Sequence, residues 1–358
     1  MINFTVGPVQ MNETVCTIGA EQVPYFRTPE FSEIMFENEK NFLALAGAPE
    51  GSRAAFITGS GTASMETCVI NLLDKDDRVL VVNGGGFGKR FVQLCDIHEL
   101  NHTAIELTYG QALTAEILNE YDNKGFTALL VNLDETSTGV LYDLELLGDF
   151  CKRNNMFLVV DAISAFLADP IDMAAYGVGA MIIGSQKALA VPPGISAIAL
   201  APSALERTNR IDSHCMYLDL KGALDGGTRG QTPFTPAVGT LIQINARLKG
   251  IMETGIEAEL NHVNELCQDF RARIADFPFT LLAETPTHAC TALKVPKHLD
   301  AKQIVNTLKD EYGLWVCPNG GDMAHDIFRV GHIGNLTIED NTVLIDALTD
   351  MRNRGLLD

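Results

Sequence analysis

Along the chain, short runs of apolar residues alternate with segments whose apolar positions fall on one helical face. Phe31, Ile34, Met35, Phe42 and Leu45 have that spacing and predict an amphipathic helix over 31–46. A short strand at 54–57 follows, then a helix over 63–73. The alternation continues with strands at 78–82, 104–107, 128–133, 157–160, 180–183 and 195–200. Helices at 88–98, 114–121 and 143–154 separate them. Apolar strands between helices predict an α/β fold with a mostly parallel central sheet covered on both faces.

Beyond Leu205 the pattern changes. A glycine-rich loop at 222–230 leads through Thr232-Pro233-Phe234-Thr235-Pro236 into long helical patterns over 238–276. Strands at 279–282, 291–295, 314–317 and 327–330 then alternate with helices at 301–311 and 338–351. The expected organisation is a large domain at 21–250 and a smaller α/β C-terminal domain at 251–358. Residues 1–20 form an irregular opening segment with a turn at Gly7-Pro8, expected to pack with the small domain.

Charge narrows the partners. With 26 Lys and Arg against 46 Asp and Glu, the formal net charge is −20, which argues against nucleic acid or an anionic membrane. The eight cysteines are scattered, without a C-x-x-C pair or a Cys/His cluster at zinc spacing, so no metal site is expected. Most of them lie in apolar stretches and read as buried thiols, which favours a reducing cytoplasm. The first residues show no basic and apolar leader pattern, and the longest uncharged run, 188–205, is broken by prolines. A cytoplasmic location is the expectation.

Ligands of parallel sheets bind beyond the carboxyl ends of the strands. Gly59-Ser60-Gly61-Thr62, Asp161 and Lys187 all stand at such ends and are expected to converge. Lys187 follows the buried run 180–183 and precedes an uncharged segment with two prolines. It is either a snorkelling side chain or one held in a pocket for its amine, whose pKa desolvation lowers. Gly59–Thr62 reads as a phosphate cradle at a helix N-terminus or as a glycine turn with a threonine cap. Ser64 stands where the dinucleotide fingerprint has Gly or Ala. The segment 83–89 fails as a P-loop, because Asn83 replaces its first glycine and Arg90 its hydroxyl residue. Phe87 there is a ligand contact or a packed aromatic. Asp161 caps a turn or meets a cationic ligand atom. Thr136, Ser137 and Thr138 are turn formers or hydrogen-bond donors. Arg329 interrupts an apolar strand and needs either a structural carboxylate or an acidic substrate group.

Six segments occur in an order that resembles the class V pyridoxal-phosphate aminotransferases. They are GSGTASME from Gly59, the segment 83–90, ETSTGVL from Glu135, VVDA from Val159, GSQKALAVPPG from Gly184 and FRVG from Phe328. The likeness spans nearly the whole chain and is nearest to alanine–glyoxylate and 2-aminoethylphosphonate–pyruvate transaminases. It implies fold type I, pyridoxal 5'-phosphate as cofactor and a homodimer with shared active sites. Lys187 then matches the Schiff-base lysine and proton-transfer base, and Asp161 the partner of the pyridine nitrogen. Phe87 takes the position of the ring-stacking aromatic. Ser60, Gly61, Thr62 and Gln186 match phosphate-site positions, and Thr136 a hydrogen bond to the cofactor. Thr235 matches a threonine that reaches the phosphate from the partner subunit, and Arg329 the grip on the substrate's acidic group. Thr232 departs from the pattern, standing where alanine–glyoxylate enzymes carry tyrosine. The implied reaction moves an amino group from a small donor of the alanine, serine or 2-aminoethylphosphonate type to pyruvate or glyoxylate. The alternatives are a lyase or cysteine desulfurase on the same fold, or a ligand-binding relative without turnover.

Overall fold

A run such as Phe157–Val160 has no polar side chain to leave facing water, so it is stable only between two covered faces. In the computed structural model, which describes residues 1–357, every residue of this strand is buried. In chain order the elements are β1 (Ile2–Phe4), α1 (Glu13–Gly19), α2 (Pro29–Leu45), β2 (Arg53–Thr58), α3 (Gly61–Leu72), β3 (Arg78–Asn83), α4 (Gly88–Ile97) and β4 (Asn101–Glu106). There follow α5 (Ala115–Asn119), β5 (Ala128–Asn132), the two-stranded β6 (Asp134–Glu135) and β7 (Val140–Leu141), α6 (Leu144–Arg153), β8 (Phe157–Asp161), β9 (Val178–Gly184) and β10 (Ile195–Leu200). Seven strands form one sheet in the order β2-β10-β9-β8-β5-β3-β4. Only β10 runs against its neighbours, pairing antiparallel with both β2 and β9. One apolar cluster, with Phe42, Phe150 and Leu158, covers one face of the sheet, and a second, with Met65, Phe91 and Val159, covers the other.

The chain continues through α7 (Pro202–Arg210), α8 (Leu220–Gly227), α9 (Val238–Thr254), α10 (Ile256–Ile274), β11 (Thr280–Leu281), β12 (Cys290–Lys294), α11 (Ala301–Tyr312), β13 (Leu314–Pro318), β14 (Ile327–Gly331) and α12 (Ile338–Asn353). A second sheet has the order β1-β13-β14-β12-β11 and packs with α10, α11 and α12 around Phe270 and Phe328. The long helical pattern after Val238 breaks at Gly255, whose φ of 86° a glycine adopts without strain.

Two expectations change. The opening segment is not irregular throughout, because Ile2–Phe4 pairs parallel with β13 (Ile2 opposite Leu314), and Asn12 caps α1 by accepting from the Val15 amide. A three-residue strand is too short to show a period. The glycine-rich stretch at 222–230 is helical as far as Gly227. Asp219 caps α8 by accepting from the Gly222 amide, and Leu220 is fully buried, which outweighs the poor helix propensity of three glycines. A smaller difference is at the edge of the large sheet. There β4 starts at Asn101 rather than Ala104, because its polar first residues continue the ladder with Arg78 and Val79.

Candidate active site

Three chain reversals at the ends of β2, β8 and β9 bring separated residues to one cavity of about 230 Å³. Ser60, Gly61 and Thr62 at the start of α3, Phe87, Thr136, Asp161, Gln186 and Lys187 all line it. Gly7, Met65, Arg90, Asp134, Ile163 and Ser164 complete the wall.

Lys187 leaves β9 through Ser185 and Gln186. That turn is fixed by the Ser185 hydroxyl, which donates to the Pro192 carbonyl at 2.7 Å. The lysine is 8% exposed, and its amine donates to the Val6 carbonyl at 2.6 Å, so it does not reach solvent. Burial lowers its pKa, the charge of Asp134 opposes that shift and Arg329 adds to it. The opening segment closes over the stem: the Val9 amide donates to the Gln186 carbonyl, and a Cβ on Gly7 would lie 2.7 Å from Lys187 Cδ.

Asp161 is the last residue of β8. Its carboxylate accepts from the Ile163 amide at 2.9 Å and from the side-chain amide of Asn132. Burial pushes its pKa up to about 6, against those hydrogen bonds and the nearby Lys187. It does cap a turn, yet it also faces the cavity.

At the α3 N-terminus Ser60 is the cap residue but makes no side-chain capping bond, and the first-turn N–H groups open toward the cavity. Thr62 Oγ1 accepts from Arg90 at 3.0 Å, and that guanidinium lies 5.0 Å from the Phe87 ring centre. A cation beside a helix N-terminus makes an anion site. Phe87 is held by Glu135, a buried carboxylate that accepts from the Phe87 amide at 3.1 Å and the Gly88 amide at 2.8 Å. The Ser137 hydroxyl, which donates to the same carboxylate, accepts from the Gly86 amide at 2.9 Å. The hydroxyls of this loop are therefore divided: Ser137 fixes the aromatic loop, whereas Thr136 Oγ1 donates to Ser164 Oγ at 2.7 Å beside the cavity.

Arg329 stands behind Thr136, to whose carbonyl it donates at 3.0 Å. It also donates to the Pro318 carbonyl at 2.8 Å and to Cys317 Sγ at 3.1 Å, while its Nε has no partner. No carboxylate is among these partners, which corrects the structural ion pair that the residue taken alone favoured. Thr235 does not join the cavity of its own chain. It is exposed, beside Thr58, Tyr217 and Phe234. Thr232 is buried and donates to the Phe234 carbonyl.

Sequence reasoning missed Gly7, Arg90, Asp134 and Ser164. Only Arg90 had a signal, as the residue that spoiled a P-loop. The opening segment and the other two became visible through tertiary contacts. Among the described residues no group of His, Cys, Asp and Glu has the arrangement to hold a metal, and no helix is long and apolar enough to cross a membrane.

The "Aminotransferase class-V" family model matches residues 25–330. The "Soluble hydrogenase 42 kDa subunit" of Anabaena cylindrica is 30% identical over 349 residues, covering 96% of this chain and 90% of that protein. The L-aspartate–glyoxylate aminotransferase of Paracoccus denitrificans is 28% identical over 346 residues, 93% of this chain and 86% of its own. Among solved structures, a subgroup IV aspartate aminotransferase from Thermus thermophilus superposes with a TM-score of 0.90 at 24% identity, covering 99% of each chain. Pyridoxamine–pyruvate aminotransferase from Mesorhizobium loti gives 0.93 at 20% identity, over 99% of this chain and 92% of that one. The family match runs over most of a chain that also carries the seven-stranded sheet, the three reversals and the buried lysine, so this protein belongs to the class V aminotransferases, with the fold of type I pyridoxal-phosphate enzymes.

Proposed function

We propose that the chain transfers an amino group from a small amino donor to pyruvate or glyoxylate, with Lys187 as the residue that carries the cofactor covalently. Its family makes it an aminotransferase whose cofactor is pyridoxal phosphate. The observation that carries the finer reading is the Lys187 amine, buried in the same cavity as the Asp161 carboxylate and the α3 N-terminus.

The residues present fit that cofactor. The unused capping position at Ser60, the N–H groups of Gly61 and Thr62, and Arg90 suit its phosphate. The Phe87 ring suits stacking, and Asp161 suits a protonated pyridine nitrogen. An acid raised to about 6 gains from such a cation, which restores its ionised form. Bound, the cofactor supplies an electron sink for bond breaking at the α-carbon of an amino substrate. The chain's own part is proton transfer and positioning. Lys187, kept neutral more readily by burial, takes the α-proton and returns it. Arg329, already anchored by two carbonyls and with Nε unpartnered, holds the substrate's acidic group.

Relatives named as aspartate–, serine– and alanine–glyoxylate aminotransferases support glyoxylate as an acceptor, and the structural relative named for pyruvate supports the other. A homodimer follows the same reading, with Thr235, exposed on its own chain, reaching the neighbouring active site. Cys317 lies on strand β13 and is engaged by Arg329, which is poor placement for the swinging sulfur acceptor of a desulfurase. The test is a panel of amino donors with pyruvate and glyoxylate. Turnover is expected with at least one pair and is expected to be lost in Lys187→Ala; full turnover in that variant would overturn the assignment.

A further inference from the structure

One acid in the cavity has no role in the function proposed above. Asp134 lies in β6, is almost fully buried, lines the cavity with Lys187, and neither of its carboxylate oxygens has a hydrogen-bond partner. A buried carboxylate with no donor is costly as an anion, so such a group keeps a proton or shares one with a neighbouring base. The base at hand is Lys187, whose own amine meets only the Val6 carbonyl. The neighbouring Glu135 is different, because the amides of Phe87 and Gly88 satisfy it.

Behind Asp134 stands a second buried acid. Asp169 accepts from the Thr287 hydroxyl at 2.7 Å and lies 2.6 Å from His288 Nδ1, a ring 31% exposed at the surface. Thr287 stands between the two acids, its hydroxyl proton committed to Asp169. The titratable groups facing Asp134 are Asp169, Glu135 and Lys187, and those facing Lys187 are Asp134, Arg329 and the thiols of Cys317 and Cys290. Asp161 also feels Lys187.

We propose that Asp134, lining the same cavity as Lys187, is the acid that sets the protonation state of its amine, the ionised carboxylate favouring the ammonium and the carboxylic acid favouring the neutral amine, and that the Asp169–His288 pair sets how tightly Asp134 keeps its own proton. Asp134 is thus a positioning residue that acts through Lys187. The two titrate as a coupled system rather than as separate groups. The inference rests on Lys187 being the reacting amine, but its test reads the amine itself and needs neither cofactor nor turnover.

Cyanate carbamylates only a neutral amine. The pH profile of Lys187 carbamylation in the full-length, cofactor-free chain, followed by peptide mass, therefore reports the amine's protonation. Asp134→Asn removes the anion that stabilises the ammonium and is expected to move the midpoint down by roughly one pH unit or more. Asp169→Asn removes the charge that holds the proton on Asp134, so Asp134 ionises more readily and the midpoint moves up. Asp134→Ser supplies the first arm if the asparagine variant does not fold, as judged by near-ultraviolet circular dichroism. Opposite shifts support the proposal, which a purely structural role for either acid does not produce. Unchanged midpoints, or shifts of the same sign, overturn it. A lysine other than Lys187 found bound to cofactor would defeat the functional reading and leave these midpoints interpretable.

Discussion

Replacing Asp161 by Asn is expected to stabilise the cofactor-free chain, although Asp161 belongs to the active site. Burial raises this acid from 3.8 to about 6, so between those values the folded chain holds a proton that the unfolded chain releases. The raised acid therefore costs nothing below about pH 4. Its penalty grows as the pH rises to 6 and then levels off. A carboxyl midpoint displaced from 3.8 to about 6 corresponds to about 3 kcal/mol. Asparagine carries no such charge. Its amide can donate to Asn132 Oδ1, which has no partner in the native chain, and its oxygen can accept from the Ile163 amide. Urea unfolding of both cofactor-free proteins from pH 4 to 8 is the assay. Asp161→Asn should gain up to about 3 kcal/mol at pH 8, less about 1 kcal/mol if one hydrogen bond is imperfect, and little at pH 4. With pyridoxal phosphate added, the order should reverse, since only aspartate pairs with a protonated pyridine nitrogen. A stability difference independent of pH would refute the reasoning, because it would mean that Asp161 is not raised by burial.

Other perturbations follow from the same contacts. Gly7→Ala sets a Cβ 2.7 Å from Lys187 Cδ on a backbone with φ of 135°, so it should weaken cofactor retention at least tenfold by equilibrium dialysis. Glu135→Ala strands the Phe87 and Gly88 amides and should cost about 2–4 kcal/mol in urea unfolding, with Phe87 displaced. Arg329→Lys keeps the charge but loses the planar fork that spans the Thr136 and Pro318 carbonyls, and should raise the donor KM about tenfold or more with a smaller change in kcat.

The large sheet was readable because its central strands are apolar at nearly every position, as burial of both faces requires, and its helices carry periodic faces. Phe157–Asp161 and Ile195–Leu200 show this most directly. The convergence of Gly61, Asp161 and Lys187 was readable for a topological reason, since parallel strands present their ends on one side. The opening strand was not, because Ile2–Phe4 acquires its conformation only from pairing with β13. Helix α8 hid behind its glycines, which a side-chain cap and burial of Leu220 override. Arg329 looked like half of an ion pair until its partners proved to be carbonyls and a thiol. Asp134 and Glu135 are adjacent acids just past the apolar run 128–133, a pattern that in sequence resembles a solvated turn. Both are buried, and their partners distinguish them, one satisfied by backbone amides and one left without a donor in the cavity of the lysine.

The central claim is that Lys187 holds the cofactor. Reconstituting the chain with pyridoxal phosphate, reducing it with borohydride and mapping the peptides by mass should place the phosphopyridoxyl group on Lys187, with one group per chain. The group on any other lysine, or none after reduction, would contradict it.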